Sequence, residues 1–253
     1  MSFIKRLVED TRRAINEGYY DLSLRLYHTS HRLSDAILAS KHAAIIGEIK
    51  FASPSMGKIR EYSDPVKIAR DIISADAIGL SILTNRLFNG RLDYLLNVRI
   101  ATDIPILMKD IVIDNKQIDA AYKSGADCIL VISSIFDDKH VMRELIDYAH
   151  SYHLEVLLEV HDKEELKDAL ESNADLIGIN NRDLNSMKID LSTTENLLRD
   201  ISSDKIIVSE SGIESSQDIV RLYKAGARAF LVGTSIMKSN NIRLKLKELV
   251  KAI

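Results

Sequence analysis

Five apolar runs in this sequence close on residues able to move protons: Glu48-Ile49-Lys50, Met108-Lys109-Asp110, Leu158-Glu159, Ile179-Asn180 and Ser209-Glu210-Ser211. Alternate residues of an extended strand share a face, so Glu48 travels with Lys50, Leu107 with Lys109, Leu157 with Glu159, Gly178 with Asn180, and Val208 with Glu210. One consistent choice of face points all six polar side chains the same way. Two lysines and three carboxylates converging on one place are costly to bury unless they pair, and a lysine held beside a carboxylate stays protonated and can act as an acid. Proton transfer is therefore the chemistry to expect. Asp110 lies on the opposite phase and Asp183 in a loop, so both read as solvent-facing or salt-bridged, while Arg182 is open between site and surface.

These residues need a frame that gathers strand ends. From Ala43 onward, short apolar runs alternate with amphipathic stretches, and the expected strands are Ala43–Lys50, Ala77–Leu83, Ile104–Asp110, Asp127–Ser133, Glu155–Val160, Leu176–Asn180, Lys205–Gly212 and Ala229–Ser235. Their starts are roughly 20 to 35 residues apart, one βα unit each, and most lack polar alternation, as strands covered on both faces should. Helices between them are marked by Ile68, Ile72 and Ile73; Ile118, Ala121 and Tyr122; Val141, Leu145, Ile146 and Ala149; Leu166, Ala169 and Leu170; and Ile219, Leu222 and Tyr223. Ser124-Gly125-Ala126-Asp127, Ser172-Asn173-Ala174-Asp175 and Ala225-Gly226-Ala227-Arg228 form a weak repeat in which Gly or Asn can take the left-handed turn ending a helix. Upstream, Ile4, Leu7, Val8, Thr11, Ala14 and Ile15 mark one amphipathic helix, and Leu33, Ala36, Ile37 and Ala39 a second capped by Ser34 or a neighbour. The chain 1–253 thus reads as one α/β domain: a (β/α)8 TIM barrel over 43–253, with an N-terminal helical extension over 1–42 packed on it. A doubly wound open sheet is the structural alternative.

In a barrel the loops after strands seven and eight commonly bind phosphate, and here they read Ser211-Gly212-Ile213 and Gly233-Thr234-Ser235, with backbone amides and hydroxyls available to an anion. Ser53, in Ser53-Pro54-Ser55-Met56-Gly57 after strand one, can add a hydroxyl. Other chemistries lack their residues. There is no G-x-G-x-x-G, Walker loop, cysteine pair, H-x-H or H-E-x-x-H, so no metal and no cofactor is expected. Ser133, Ser134 and Ser209 have no strand-end histidine, His161 reads as a loop or capping residue, and Cys128 as core at the start of strand four. Lys plus Arg number 34 against 37 Asp plus Glu, a net charge of −3 without long single-sign blocks, which argues against nucleic acid as a partner. Hydrophobic residues at 46% exclude a disordered chain, while charges in MSFIKRLVED and the absence of 18 consecutive uncharged apolar residues predict a cytoplasmic protein without a membrane span.

The longest motifs are Glu48-Ile49-Lys50-Phe51-Ala52-Ser53-Pro54-Ser55, Leu80-Ser81-Ile82-Leu83-Thr84, Phe88-Asn89-Gly90, Ile104-Pro105-Ile106-Leu107-Met108-Lys109-Asp110, Glu155-Val156-Leu157-Leu158-Glu159-Val160-His161-Asp162, Gly178-Ile179-Asn180-Asn181-Arg182-Asp183-Leu184 and Ser209-Glu210-Ser211-Gly212-Ile213. In this order, over nearly the whole chain, they resemble the indole-3-glycerol-phosphate synthase family. The resemblance implies a carboxy-lyase of tryptophan biosynthesis that works without a cofactor on a small sugar phosphate, 1-(2-carboxyphenylamino)-1-deoxyribulose 5-phosphate. It implies Lys109 as general acid, Glu159 as base, Lys50 assisting, and Glu48 holding the lysines in charge and position. Asn180, Glu210 and Ser211 would orient the sugar, Arg182 the anthranilate or its carboxylate, and Lys50, Ser53, Gly212, Gly233 and Thr234 or Ser235 the phosphate. Leu83, Phe88, Leu107, Leu130 and Ile132 would line the slot for the aromatic ring, and the N-terminal extension would cross the barrel mouth. Asn85 departs from the family's usual acidic residue, and the stretch from Tyr19 to His31 matches poorly. Phosphoribosylanthranilate isomerase, an alternative barrel, needs a cysteine after strand one, where Lys50 and Ser53 stand. A non-catalytic sugar-phosphate barrel would have no need of Lys109 with Glu159. The sequence leaves association with other tryptophan-pathway proteins open.

Overall fold

In the computed structural model, which describes residues 3–26, 31–53, 57–199, 201 and 203–253, eight parallel strands close into a barrel. They are β1 (Ala44–Ile49), β2 (Gly79–Leu83), β3 (Ile106–Lys109), β4 (Cys128–Ile132), β5 (Glu155–Val160), β6 (Leu176–Asn180), β7 (Ile206–Glu210) and β8 (Ala229–Val232). Closure is explicit, because β1 pairs with both β2 and β8, and an open doubly wound sheet would leave one of those edges unpaired. Strands β5 and β6 have their expected bounds, while the other six are shorter by one to three residues at one or both ends. The trimmed ends are where the backbone turns away. Ser211 and Gly212 take φ of 68° and 82°, and Gly233 caps the helix that begins at Thr234.

Period-two alternation divides the strand side chains between two cores. Ala44, Ile46, Leu107, Cys128, Leu130, Leu157, Leu176, Val208, Ala229 and Leu231 fill the barrel interior. The intervening residues, among them Ile45, Ile82, Met108, Val131, Leu158, Ile177 and Phe230, pack outward under the helices. That ring comprises α3 (Pro65–Ile73), α4 (Leu92–Ala101), α5 (Asn115–Ser124), α6 (Lys139–Ser151), α7 (Lys163–Leu170), α8 (Ser192–Leu198), α9 (Ser216–Ala225), the short α10 (Thr234–Lys238) and α11 (Ile242–Val250). Aspartates 64, 114, 138 and 162 cap four of them by accepting from backbone N–H groups, and Ser215 closes a capping box with Asp218. Gly125 and Gly226 end α5 and α9 in the left-handed conformation, as their motif predicts. The third copy differs: α7 stops at Leu170 with Glu171 as its right-handed cap, and Asn173 is not left-handed.

The N-terminal extension reaches both ends of the barrel rather than the mouth alone. Helix α1 (Phe3–Asn16) buries Leu7, Thr11, Ala14 and Ile15 at the C-terminal end, where Tyr19 donates to the Thr84 carbonyl (2.8 Å) and Tyr20 to Asp110 (3.1 Å). The chain then descends beside α5, with Leu26 N–H bonded to the Lys123 carbonyl (2.9 Å). Helix α2 (Leu33–Ala39) plugs the opposite end, placing Leu33 and Ile37 in the interior core. Ser34 is not its cap. The Glu155 carboxylate at the start of β5 instead accepts from the Leu33 and Ser34 amides and the Ser34 hydroxyl, so a side chain from the barrel terminates this helix. Among the described residues no helix is long and apolar enough to cross a membrane.

Candidate active site

All six inward-pointing polar residues of the strand ends meet at the C-terminal mouth. Registers set them side by side: Leu83 lies opposite Lys109, Ile132 opposite Glu159, and Asn180 opposite Glu210. Lys109 Nζ is 3.1 Å from Glu159 Oε2 and is also ion-paired with Glu210, while Lys50 pairs with Glu48. Asn180 Nδ2 donates to Glu159 Oε1 (3.0 Å), and its Oδ1 accepts from the Arg182 amide (3.0 Å). The three carboxylates are 4%, 2% and 1% exposed for Glu48, Glu159 and Glu210, dry enough that their charges depend on these pairings.

Burial works against the charges of Lys109, Glu159 and Glu210, and their neighbours decide the outcome for each. It pushes the Lys109 ammonium down, but Glu210, Glu159 and Glu48 outweigh it and hold Lys109 protonated far above the usual lysine range. Burial pushes Glu159 up, yet Lys109, His161 and Asn180 carry it well below the ordinary carboxylate range. Glu210 goes the other way. Burial and the nearby Glu159 and Glu48 carboxylates raise it to about 7 despite Lys109. The mouth thus favours a charged Lys109 and an ionised Glu159, with Glu210 raised above the ordinary carboxylate range, a set of groups able to exchange protons.

Glycine makes this crowding possible. A Cβ on Gly178 would collide with Glu210 Oε1, and one on Gly233 would collide with Glu48 Oε2. Gly233 has a negative φ, so its role is to make room for a carboxylate in addition to any role in a phosphate loop. Gly212 and Ser211 do adopt left-handed φ, and Ser235 Oγ donates to the Ile213 carbonyl (2.9 Å), joining the turns after β7 and β8. Ser53, Ser211, Gly212, Gly233, Thr234 and Ser235 all line the same cavity as Lys50. Ser53 Oγ is buried there with no hydrogen-bond partner among the described residues. Residues 54–56 of its loop lie outside them.

The opposite wall is apolar. Leu83, Phe88, Leu130 and Ile132 line the cavity as expected, whereas Leu107 lies deeper in the barrel core and does not. Phe3 and Leu7 of α1, Ile111, Leu184, Ile189 and Leu231 complete the wall. Arg182 resolves toward the site: it lines the cavity and donates to the Met187 carbonyl (3.1 Å). Asp183 instead forms a turn, accepting from the Asn185 and Ser186 amides.

Asp110 faces neither solvent nor a cation. At 1% exposure it accepts from Thr84 Oγ1 (2.6 Å), Asn85 Nδ2 (2.8 Å), the Tyr20 hydroxyl (3.1 Å) and the Ile111 amide (2.8 Å), and burial raises its pKa against those bonds. Its carboxylate turns to Thr84, Asn85 and Tyr20, under cover of the N-terminal extension, while the residue also borders the cavity. Asn85 thereby acquires a reason: an acid in its place would put a second carboxylate against Asp110. Two further residues stand beside the site: Asn181, to which the sequence reading assigns no role, and His161, which it places as a loop or capping residue. Buried Asn181 holds the end of β7, with Nδ2 facing Ser209 Oγ (3.0 Å) and the Glu210 carbonyl (2.9 Å). His161 stands 3.3 Å from Glu159, and its place two residues after Glu159 is the signal that marks it.

Both the sequence and the fold have known relatives. A family model described as indole-3-glycerol phosphate synthase matches residues 4–249. The chain is 46% identical over 211 residues to an indole-3-glycerol phosphate synthase of Caldanaerobacter subterraneus subsp. tengcongensis, covering 83% of this chain and 81% of that protein. It is 43% identical over 206 residues to one of Acetivibrio thermocellus, covering 81% and 79%. Among solved structures, a 3-hexulose-6-phosphate synthase superimposes with a TM-score of 0.63 at 18% identity, covering 83% of this chain and 99% of that one. A thiamine phosphate pyrophosphorylase from Pyrococcus furiosus gives 0.63 at 15% identity, covering 87% and 97%. At such identities these two share the fold alone.

Proposed function

The chain belongs to the indole-3-glycerol phosphate synthase family, and we propose that the mouth residues described above divide the work of that reaction among acid, base and phosphate cradle. The enzyme is a carboxy-lyase that converts 1-(2-carboxyphenylamino)-1-deoxyribulose 5-phosphate to indole-3-glycerol phosphate, carbon dioxide and water. The aromatic carbon bearing the carboxylate attacks the ribulose carbonyl, forming the carbon–carbon bond while the carbonyl oxygen takes a proton. Loss of carbon dioxide returns its bonding pair to the ring and restores aromaticity. The hydroxyl then leaves with a second proton as water, and a proton leaves the new five-membered ring.

Lys109 supplies the proton to the carbonyl, since its carboxylate partners keep it charged in a dry cavity. Glu159 removes the proton during dehydration, held by Asn180 at one oxygen and Lys109 at the other. Lys50, fixed by Glu48, assists the departing hydroxyl. Glu210 and Ser211 orient the sugar, Arg182 the anthranilate carboxylate, and Leu83, Phe88 and Leu130 grip the ring. The phosphate goes to Ser53, Gly212, Gly233, Thr234 and Ser235 beside Lys50, a reading supported by the unpartnered Ser53 hydroxyl.

The observation that carries these roles is Lys109 bridging Glu159 and Glu210 in a cavity whose far wall is apolar. In an indole-fluorescence assay, Lys109→Ala is expected to lower kcat by about 10²- to 10⁴-fold with little change in KM. Ser53→Ala should raise KM and leave kcat nearly intact. Wild-type turnover retained in Lys109→Ala would remove it as the acid.

A further inference from the structure

Glu159 and Lys109 share one ion pair, which creates a problem when the acid reacts. Once Lys109 has donated its proton it is a neutral amine 3.1 Å from the carboxylate, and the attraction that kept Glu159 ionised is gone. A second cation stands behind Glu159. His161 Nε2 lies 3.3 Å from Glu159 Oε1, the oxygen turned away from the lysine, and its Nδ1 lies 3.3 Å from Glu165 Oε2 on α7. The same Glu165 oxygen accepts from the His161 amide (2.8 Å), so ring and backbone are clamped together. The His161 side chain is only 13% exposed, and it lies outside the residues that line the cavity.

We propose that His161, anchored by Glu165, is a positioning residue that keeps Glu159 an ionised and correctly aimed base whether or not Lys109 carries its proton. The inference rests on Glu159 being the base. Facing Glu159 are Lys109 from β3, Asn180 from β6 and His161 on its own element, with Glu210 on β7 and the Glu48–Lys50 pair on β1 completing the charged ring. Facing His161 are Glu159, Glu165 and, across the loop after β6, the Asp183 carboxylate. Three acids face the ring, and although burial pushes the imidazole down, Glu159 and Glu165 raise it to about 10. The charged form of the imidazole is the one these carboxylates favour.

His161 Nε2 makes no hydrogen bond to a described residue, so its effect on Glu159 is that of a nearby charge, which His161→Gln removes while keeping a polar side chain of similar reach. The acid-side limb of its kcat–pH profile is expected to move upward by about 1 to 3 units, with KM nearly constant and activity recovering as pH rises. Glu165→Gln, which retains the imidazole but loosens its anchor, should move the limb the same way by less. A His161→Gln profile superimposable on wild type would overturn the proposal; should that variant not fold, an unmoved limb in Glu165→Gln would do so. Glu159→Gln separates the two levels. Its inactivity at every pH upholds the base assignment, so an unmoved limb then counts against His161 alone, whereas wild-type activity in Glu159→Gln removes the base assignment itself.

Discussion

At Gly178 the missing side chain does as much for the site as the polar ones do. Its hydrogen leaves space for Glu210 Oε1, which has no hydrogen-bond partner among the described residues, while Oε2 is held by Lys109. Gly178→Ala should overpack this point by about 1–3 kcal/mol and push Glu210 off Lys109. We expect kcat to fall at least ten-fold in the indole assay, with the far-ultraviolet circular dichroism unchanged and thermal stability partly recovered in the Gly178→Ala/Glu210→Asp double variant. Strand phase alone makes Glu48, Lys50, Lys109, Glu159, Asn180 and Glu210 legible in the sequence, because alternation converts position into direction. Carried one residue past the strand it also reaches His161, which loop placement hides. It misleads at Asp110, which is expected at the surface and is instead covered by an N-terminal tyrosine 90 residues away.

At the level of elements, the strands and several helices can be read from apolar spacing, since each βα unit carries its own period. The destination of α2 cannot. Its seven residues carry only a local amphipathic signal, and what fixes them is the Glu155 carboxylate 121 residues downstream. Burying that acid raises its pKa, with bonds from Ser34 and the nearby Arg32 opposing the shift. Glu155→Ala would leave the Leu33 and Ser34 amides without their acceptor and should cost about 1–3 kcal/mol. A lower thermal midpoint with unchanged kcat is the expected result, because this contact lies at the opposite end of the barrel from Lys109; a fall in kcat at full stability would contradict the separation.

Over the whole molecule, one end of the barrel carries chemistry and the other carries closure, and the N-terminal extension serves both. Deleting residues 1–16 removes Phe3 and Leu7 from the cavity wall, a loss of about 1–3 kcal/mol per apolar side chain, so KM should rise ten-fold or more while kcat changes less. Unchanged KM would show that α1 only covers the mouth. The extension has a further consequence on the ribosome. It leaves the exit tunnel before the residues it binds, since Tyr20 docks on residue 110, Ser34 on residue 155 and Arg32 on residue 175. At roughly 5 to 20 residues per second, the amphipathic strap waits on the order of ten seconds for its landing sites to be made. During that interval its apolar face has no partner within the parent chain, so a segment translated before its landing sites settles only after them.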